Sequence, residues 1–210
     1  YTEGYGSYLI PAVMMIIIFQ TLLMVIGMVT GEEYSSDGIR TYAPFGHTWA
    51  AAIRIVAGKA FVYCGLYAIF SFFLLGLLPY FFSIPNIGNG LYIVLLMIPY
   101  LIATSFLGLA ASRYFTDSEA PLLMIAFFSV GLIFLSGVSY PMELMPWYWK
   151  AAHYILPAAP ATLAFVQLNS MGASMADIRP EYITLWIQVL VYFILSIWVY
   201  QKKLQKSQLR

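Results

Sequence analysis

Between Lys59 and Arg113 the chain carries no ionised side chain. A water-facing surface cannot be built from so long an uncharged run, since soluble domains keep about 25% of their residues charged. The scarcity extends to the whole chain of 210 residues, of which 62% are hydrophobic, 18% aromatic and only 9% charged. That is too little charge to cover a soluble surface of this size. The chain belongs in a lipid bilayer.

A helix crossing the hydrocarbon needs roughly 20 apolar residues, because each adds about 1.5 Å against a thickness of about 30 Å. Five stretches meet or approach that length: 9–29, 60–82, 91–111, 120–138 and 182–200. The first has Gln20 and Thr21 as its polar members, and the last has Thr184, Gln188 and Ser196. Residues 83–90, Ser-Ile-Pro-Asn-Ile-Gly-Asn-Gly, punctuate the uncharged run with turn formers. Strands of a membrane barrel alternate apolar and polar positions, whereas Met14-Met15-Ile16-Ile17-Ile18-Phe19 does not. The expected fold is all-α: a polytopic membrane helical bundle with five transmembrane helices and a re-entrant or interfacial helical segment before the last span.

Several functions are disfavoured by what the chain contains. Ten Lys and Arg against nine Asp and Glu leave a net charge of +1, so there is no strongly basic face for nucleic acid. Cys64 stands alone, and His47 and His153 lie far apart, which is poor material for a metal centre. There is no Gly-x-x-x-x-Gly-Lys-Ser/Thr loop to cradle phosphates, and no nucleophile accompanies Glu143 and His153. The chain reads as a non-enzyme with no cofactor, metal or catalytic site of its own. Gln20 and Gln188, the deepest strongly polar side chains, are candidates for a pathway lining or for helix packing. Gly76, Gly108 and Gly131 are expected to permit close helix approach, and Cys64 to be a small buried side chain.

Charge placement orients the spans, because Lys and Arg favour the cytoplasmic side. With the carboxyl terminus inside, Arg40, Arg54, Lys59, Arg113, Lys202, Lys203, Lys206 and Arg210 are cytoplasmic, and only Lys150 and Arg179 are outside. An odd number of spans then starts the chain outside, with the expectation that at least one further span precedes Tyr1. The opening Tyr1-Thr2-Glu3-Gly4-Tyr5 has no basic region of the kind that starts a signal peptide.

Two connecting regions stand out. The first cytoplasmic segment, from Thr30 to about Lys59, contains Glu32, Glu33, Asp37, Gly38 and Arg40. Helix-compatible residues return at Thr48 and Trp49. A short element lying along the interface fits this mixture, either as a solvated loop or as a docking surface for a soluble partner. The long outer segment after Ser136 is divided by Pro141, Pro146, Pro157 and Pro160 into pieces too short to cross and too apolar to be free in water. Trp147, Tyr148 and Trp149 suit the headgroup zone. Non-helical backbone at depth must be covered by protein or water, so these pieces are expected to pack against the spans.

The run Ser136-Gly137-Val138-Ser139-Tyr140-Pro141-Met142-Glu143-Leu144-Met145-Pro146, followed by Leu156-Pro157 and Pro160, resembles the carboxyl-terminal signature of ABC-2 type transporter permeases. The resemblance implies six spans per subunit, and the chain matches spans two to six. Residues 1–210 would then be a transmembrane domain lacking the first span and the extracytoplasmic domain that follows it. It also implies a bacterial cytoplasmic (inner) membrane location and a second permease subunit, as homodimer or heterodimer. Separate cytoplasmic ABC ATPase subunits would hold ATP and Mg.

The family's coupling segment falls on residues 32–49, with Glu32, Glu33, Asp37, Gly38 and Arg40 as candidate contacts, although Ile39 and Arg40 depart from its usual pattern. Its re-entrant, gating region falls on 141–165, with Tyr140, Pro141, Glu143, Met145, Pro146, Pro157 and Pro160 as candidates. The function so implied is the permease of an ATP-driven exporter. An ion-gradient-coupled carrier or channel would work without an ATPase, and a membrane scaffold would bind partners without substrate-stimulated hydrolysis.

Overall fold

The computed structural model describes residues 5–35, 48–82, 87–114, 119, 121–122, 131–138 and 144–207. All regular structure among them is helical. Helix α1 is Tyr5–Ser35, α2 is Trp49–Phe72, α3 is Leu78–Phe81 and α4 is Gly90–Ala111. After these come α5, Trp147–Ile155, α6, Ala158–Met171, and α7, Arg179–Ser207. Four stretches are long and apolar enough to cross a membrane: Leu9–Glu33, Trp49–Phe81, Gly90–Ala111 and Arg179–Gln205. The expected fifth span, 120–138, falls largely outside the described residues, with 131–135 helical.

Local chemistry explains where the helices begin and bend. Thr48 caps α2, its hydroxyl accepting from the Ala51 amide at 3.3 Å, and Asn89 caps α4 by accepting from Leu91 at 3.0 Å. Between α2 and α3 the helix widens to a π turn over Phe73–Leu77, where the Leu78 amide reaches back to the Phe73 carbonyl. Pro79 follows at once. Its ring would crowd the carbonyl four residues earlier, and shifting the ladder by one residue relieves that clash. Thr21, Thr30 and Thr104 each donate to the carbonyl four residues back, so a hydroxyl in an apolar helix is satisfied without a partner helix.

Helix α4 is the centre of the bundle, packing most extensively on α7 and also on α1, α2 and α6. Two-thirds of its apolar window is buried within the chain, against 22% for α2–α3. Tyr100 on α4 is fully buried and donates to the Met15 carbonyl of α1 at 2.6 Å. Phe106 and Phe193 bring α4 and α7 together with ring centroids 4.9 Å apart. Gly108 lets α1 approach: a Cβ there would sit 3.0 Å from Ile26 Cδ1. The other two glycines do not act this way. A Cβ at Gly76 would make only ordinary contact with Phe72 of its own helix, and at Gly131 would meet no described atom within 4 Å.

At the end of the bundle opposite the Lys203 end of α7, chain reversals are tightly built. Gly172 at φ +66° ends α6, and the Ala173 amide reaches back to the Gln167 carbonyl at 3.1 Å. The Asp177 carboxylate then accepts from both the amide and the hydroxyl of Ser174 at 2.8 Å, bonds that hold its pKa below the ordinary value. Ile87 donates to the Asn169 carbonyl at 3.1 Å, so the segment before α4 lies directly on the end of α6. Gly88 permits this approach, since a Cβ there would lie 2.6 Å from the Leu168 carbonyl oxygen.

Two outcomes are expected. Gly88→Ala lowers thermal stability in micelles by about 1–3 kcal/mol through overpacking, whereas Gly65→Ala does not, because open space surrounds that position. Because the folded carboxylate is favoured, the contribution of Asp177 is present above its unfolded pKa and lost as pH falls through the lower folded one. The Ser174 amide resonance should therefore titrate with a midpoint below that of a free aspartate carboxyl, and Asp177→Asn should abolish that titration.

Candidate functional site

Apolar helices leave polar side chains conspicuous, and two groups of the described ones join several helices. The first is at the end where α1 finishes, α2 begins and α4 and α7 finish. Glu33, on the last turns of α1, pairs with Lys59 of α2: Lys59 Nζ donates to Glu33 Oε1 at 2.6 Å and also to Oε2. The pair is mostly shielded, with side-chain exposures of 13% for Lys59 and 24% for Glu33. Lys59 Nζ also donates to the Tyr200 hydroxyl of α7 at 3.2 Å. Lys59 and Lys203 each lie 5.2 Å from the centroid of the Tyr200 ring. Lys203 in turn donates to the Ser112 carbonyl at 3.1 Å and to its hydroxyl at 3.0 Å. A cation at the carbonyl end of α4 is favoured by the helix dipole as well as by these bonds. One chain of polar contacts thus ties α1, α2, α7 and α4 at a single end.

This placement revises the sequence reading in one respect. Helix α1 continues to Ser35 and α2 starts at Trp49, so the connection is shorter than Thr30 to Lys59. Glu32 and Glu33 belong to helix rather than loop, and Arg54 and Lys59 lie within α2. Asp37, Gly38 and Arg40 fall outside the described residues. Lys59, Tyr200, Lys203 and Ser112 lie outside the residues to which the sequence assigns a site. Their signal was faint: basic residues at span ends, whose partners lie far away in sequence.

The second gathering is the bent pair α5–α6. These helices meet at 87°, broken at Leu156-Pro157. The missing proline amide and the turn leave the terminal carbonyls of α5 without helical partners. Helix α7 supplies them: Gln188 Nε2 donates to the Tyr154 carbonyl at 2.8 Å, and the Tyr192 hydroxyl donates to that of Ile155. Such bonds between membrane helices contribute about 0.6 kcal/mol each on average. His153 is buried, with Nδ1 2.8 Å from the Leu135 carbonyl, joining α5 to the helical residues 131–135. Trp147, Tyr148 and Trp149 remain exposed, whereas α6 is buried nearly all round, with Ala158, Ala159, Ala161 and Ala164 allowing close approach.

Among the candidate gating residues, Met145 is buried and Pro146 precedes α5, its carbonyl accepting from Trp149 and Lys150. Both line an apolar cavity of about 370 Å³ with Phe134 and Trp149. Pro157 and Pro160 sit at the start of α6, where a missing amide costs little. Tyr140, Pro141 and Glu143 lie outside the described residues. Gln20 is half-buried on α1, and Cys64 is half-buried with Sγ 3.4 Å from the Ser105 hydroxyl. Among the described residues no group of three or more His, Cys, Asp or Glu could hold a metal ion.

Glu33→Gln and Lys59→Gln should each lower stability by about 1–3 kcal/mol, because each takes the charged partner from a mostly shielded group. The double substitution should cost less than the two combined, with coupling of about 1 kcal/mol or more. Unfolding of the four proteins in micelles measures this; additive effects would mean that the pair contributes nothing.

Residues 1–198 match the family model described as "ABC-2 family transporter protein". No curated protein and no solved structure matches the chain.

Proposed function

Because the chain belongs to the ABC-2 family of transporter proteins, we propose that it is the permease subunit of an ATP-driven exporter and is coupled to a separate cytoplasmic ATPase. The observation that carries this reading is the position of the ionic tie. Glu33 and Lys59 bracket residues 36–47, within the segment to which the sequence assigns coupling. A displacement imposed there reaches α1 and α2 together, and passes through Tyr200 and Lys203 to α7 and α4. ATP and Mg stay with the ATPase, which supplies free energy. The permease supplies states that differ in affinity for substrate.

In this reading the chain is the transmembrane domain, corresponding to spans two to six, in the bacterial cytoplasmic membrane with its basic end inside. The bent pair α5–α6 lies on the outer side and controls release. A second permease subunit and lipid cover the outward apolar face of α2–α3, where Phe61 and Tyr80 are each 81% exposed.

Deleting residues 36–47 in the assembled complex should preserve membrane insertion while abolishing ATP-dependent transport and substrate-stimulated hydrolysis. Flux that survives the deletion, or that follows an ion gradient without any ATPase, would overturn the proposal.

A further inference from the structure

Beside the polar tie lies a second cluster that the transport reading leaves unused. The indole of Trp198 on α7 is approached by two cations from different helices. Lys202 Nζ stands 3.7 Å from the ring centroid, and the Arg113 guanidinium carbon, just past α4, stands 5.5 Å from it. Both basic residues are exposed, as is Tyr114 beside them at 79%. Two like charges gathered on one ring repel each other, and a third, Lys203, sits one residue further on, bonded to Ser112. Across the described residues, no carboxylate is seen against Arg113 or Lys202 that would offset this repulsion.

The cluster's position says what kind of anion reaches it. Arg113 and Lys202 flank the ends of two spans, Gly90–Ala111 and Arg179–Gln205, with apolar surface running away from them on one side. Trp198, Ile194 and Leu195 are partly open along that surface. An anion that binds here must place its charge at the span ends and tolerate hydrocarbon below. We propose that Arg113, Trp198 and Lys202 form a binding site for the phosphate of an anionic phospholipid, with the acyl chains lying along the α7 face below Trp198. The indole orients Lys202 through its ring face and itself prefers the headgroup zone. Each nearby cation strengthens attraction to an anionic leaflet.

Native mass spectrometry of the full chain, titrated with phosphatidylglycerol or with phosphatidylcholine of the same acyl chains, tests the assignment. The intact protein should retain phosphatidylglycerol at least about fivefold better than phosphatidylcholine. Arg113→Gln/Lys202→Gln should lose that preference, while Lys150→Gln/Arg179→Gln, at the opposite end, should keep it. Circular dichroism and melting verify folding, and Trp198→Phe, which keeps the apolar bulk, should weaken retention less than loss of the cations. Equal retention of phosphatidylglycerol by the Arg113/Lys202 double variant would overturn the proposal. So would displacement of the lipid by millimolar inorganic phosphate, which would mark a site for a free anion. Loss of ATPase association with lipid retention intact would reassign the cluster to a protein partner.

Discussion

Hydrocarbon offers no hydrogen bonds, so every amide and carbonyl within the membrane must find its partner inside the protein. Most are satisfied within the helices, and the departures from regular helix show how the rest are managed. Before Pro79 the ladder shifts to a π turn, which keeps the Leu78 amide bonded to Phe73. At Leu156-Pro157 the chain turns by 87°, and the freed carbonyls of Tyr154 and Ile155 take donors from Gln188 and Tyr192. The bent pair is therefore fastened to α7 at its hinge. A change in the angle between α5 and α6 must break or carry along those two bonds.

The two ends of the bundle are built from different materials. One is closed by backbone: Ile87 on Asn169, Gly88 against Leu168, and the left-handed turn at Gly172. These contacts are short-ranged and tolerate little displacement. The other is held by long charged side chains, Glu33, Lys59 and Lys203, arranged around one tyrosine ring. Flexible stems let such contacts persist over larger excursions than a backbone approach permits. Movement admitted at the ionic end, about a firm opposite end, suits the coupling role proposed for the residues that lie between Glu33 and Lys59 in sequence.

Much of this was legible beforehand because hydropathy is additive along the chain. The spans 9–29, 91–111 and 182–200 correspond to α1, α4 and α7, and the prolines after Ser136 place the break within a bent pair. The extents of α1 and α2 were not legible, because Thr30 to Lys59 mixes polar and helix-forming residues with no stop signal at Glu33. Nor could composition say which glycine is used for close packing. Gly108 faces Ile26, while Gly76 and Gly131 differ from it only in where their helices point.

From the residues alone it follows that this chain belongs in a membrane and that it is helical. Both rest on transfer free energies summed along the chain, which need no partner to be known. Packing alone brings Glu33 to Lys59, sets Tyr200 between Lys59 and Lys203, and gives the Tyr154 carbonyl of α5 its donor in Gln188. Side-chain bonds between helices depend on helix rotation and close approach, which are set by the packing of the whole bundle around α4. No local pattern of residues contains that information.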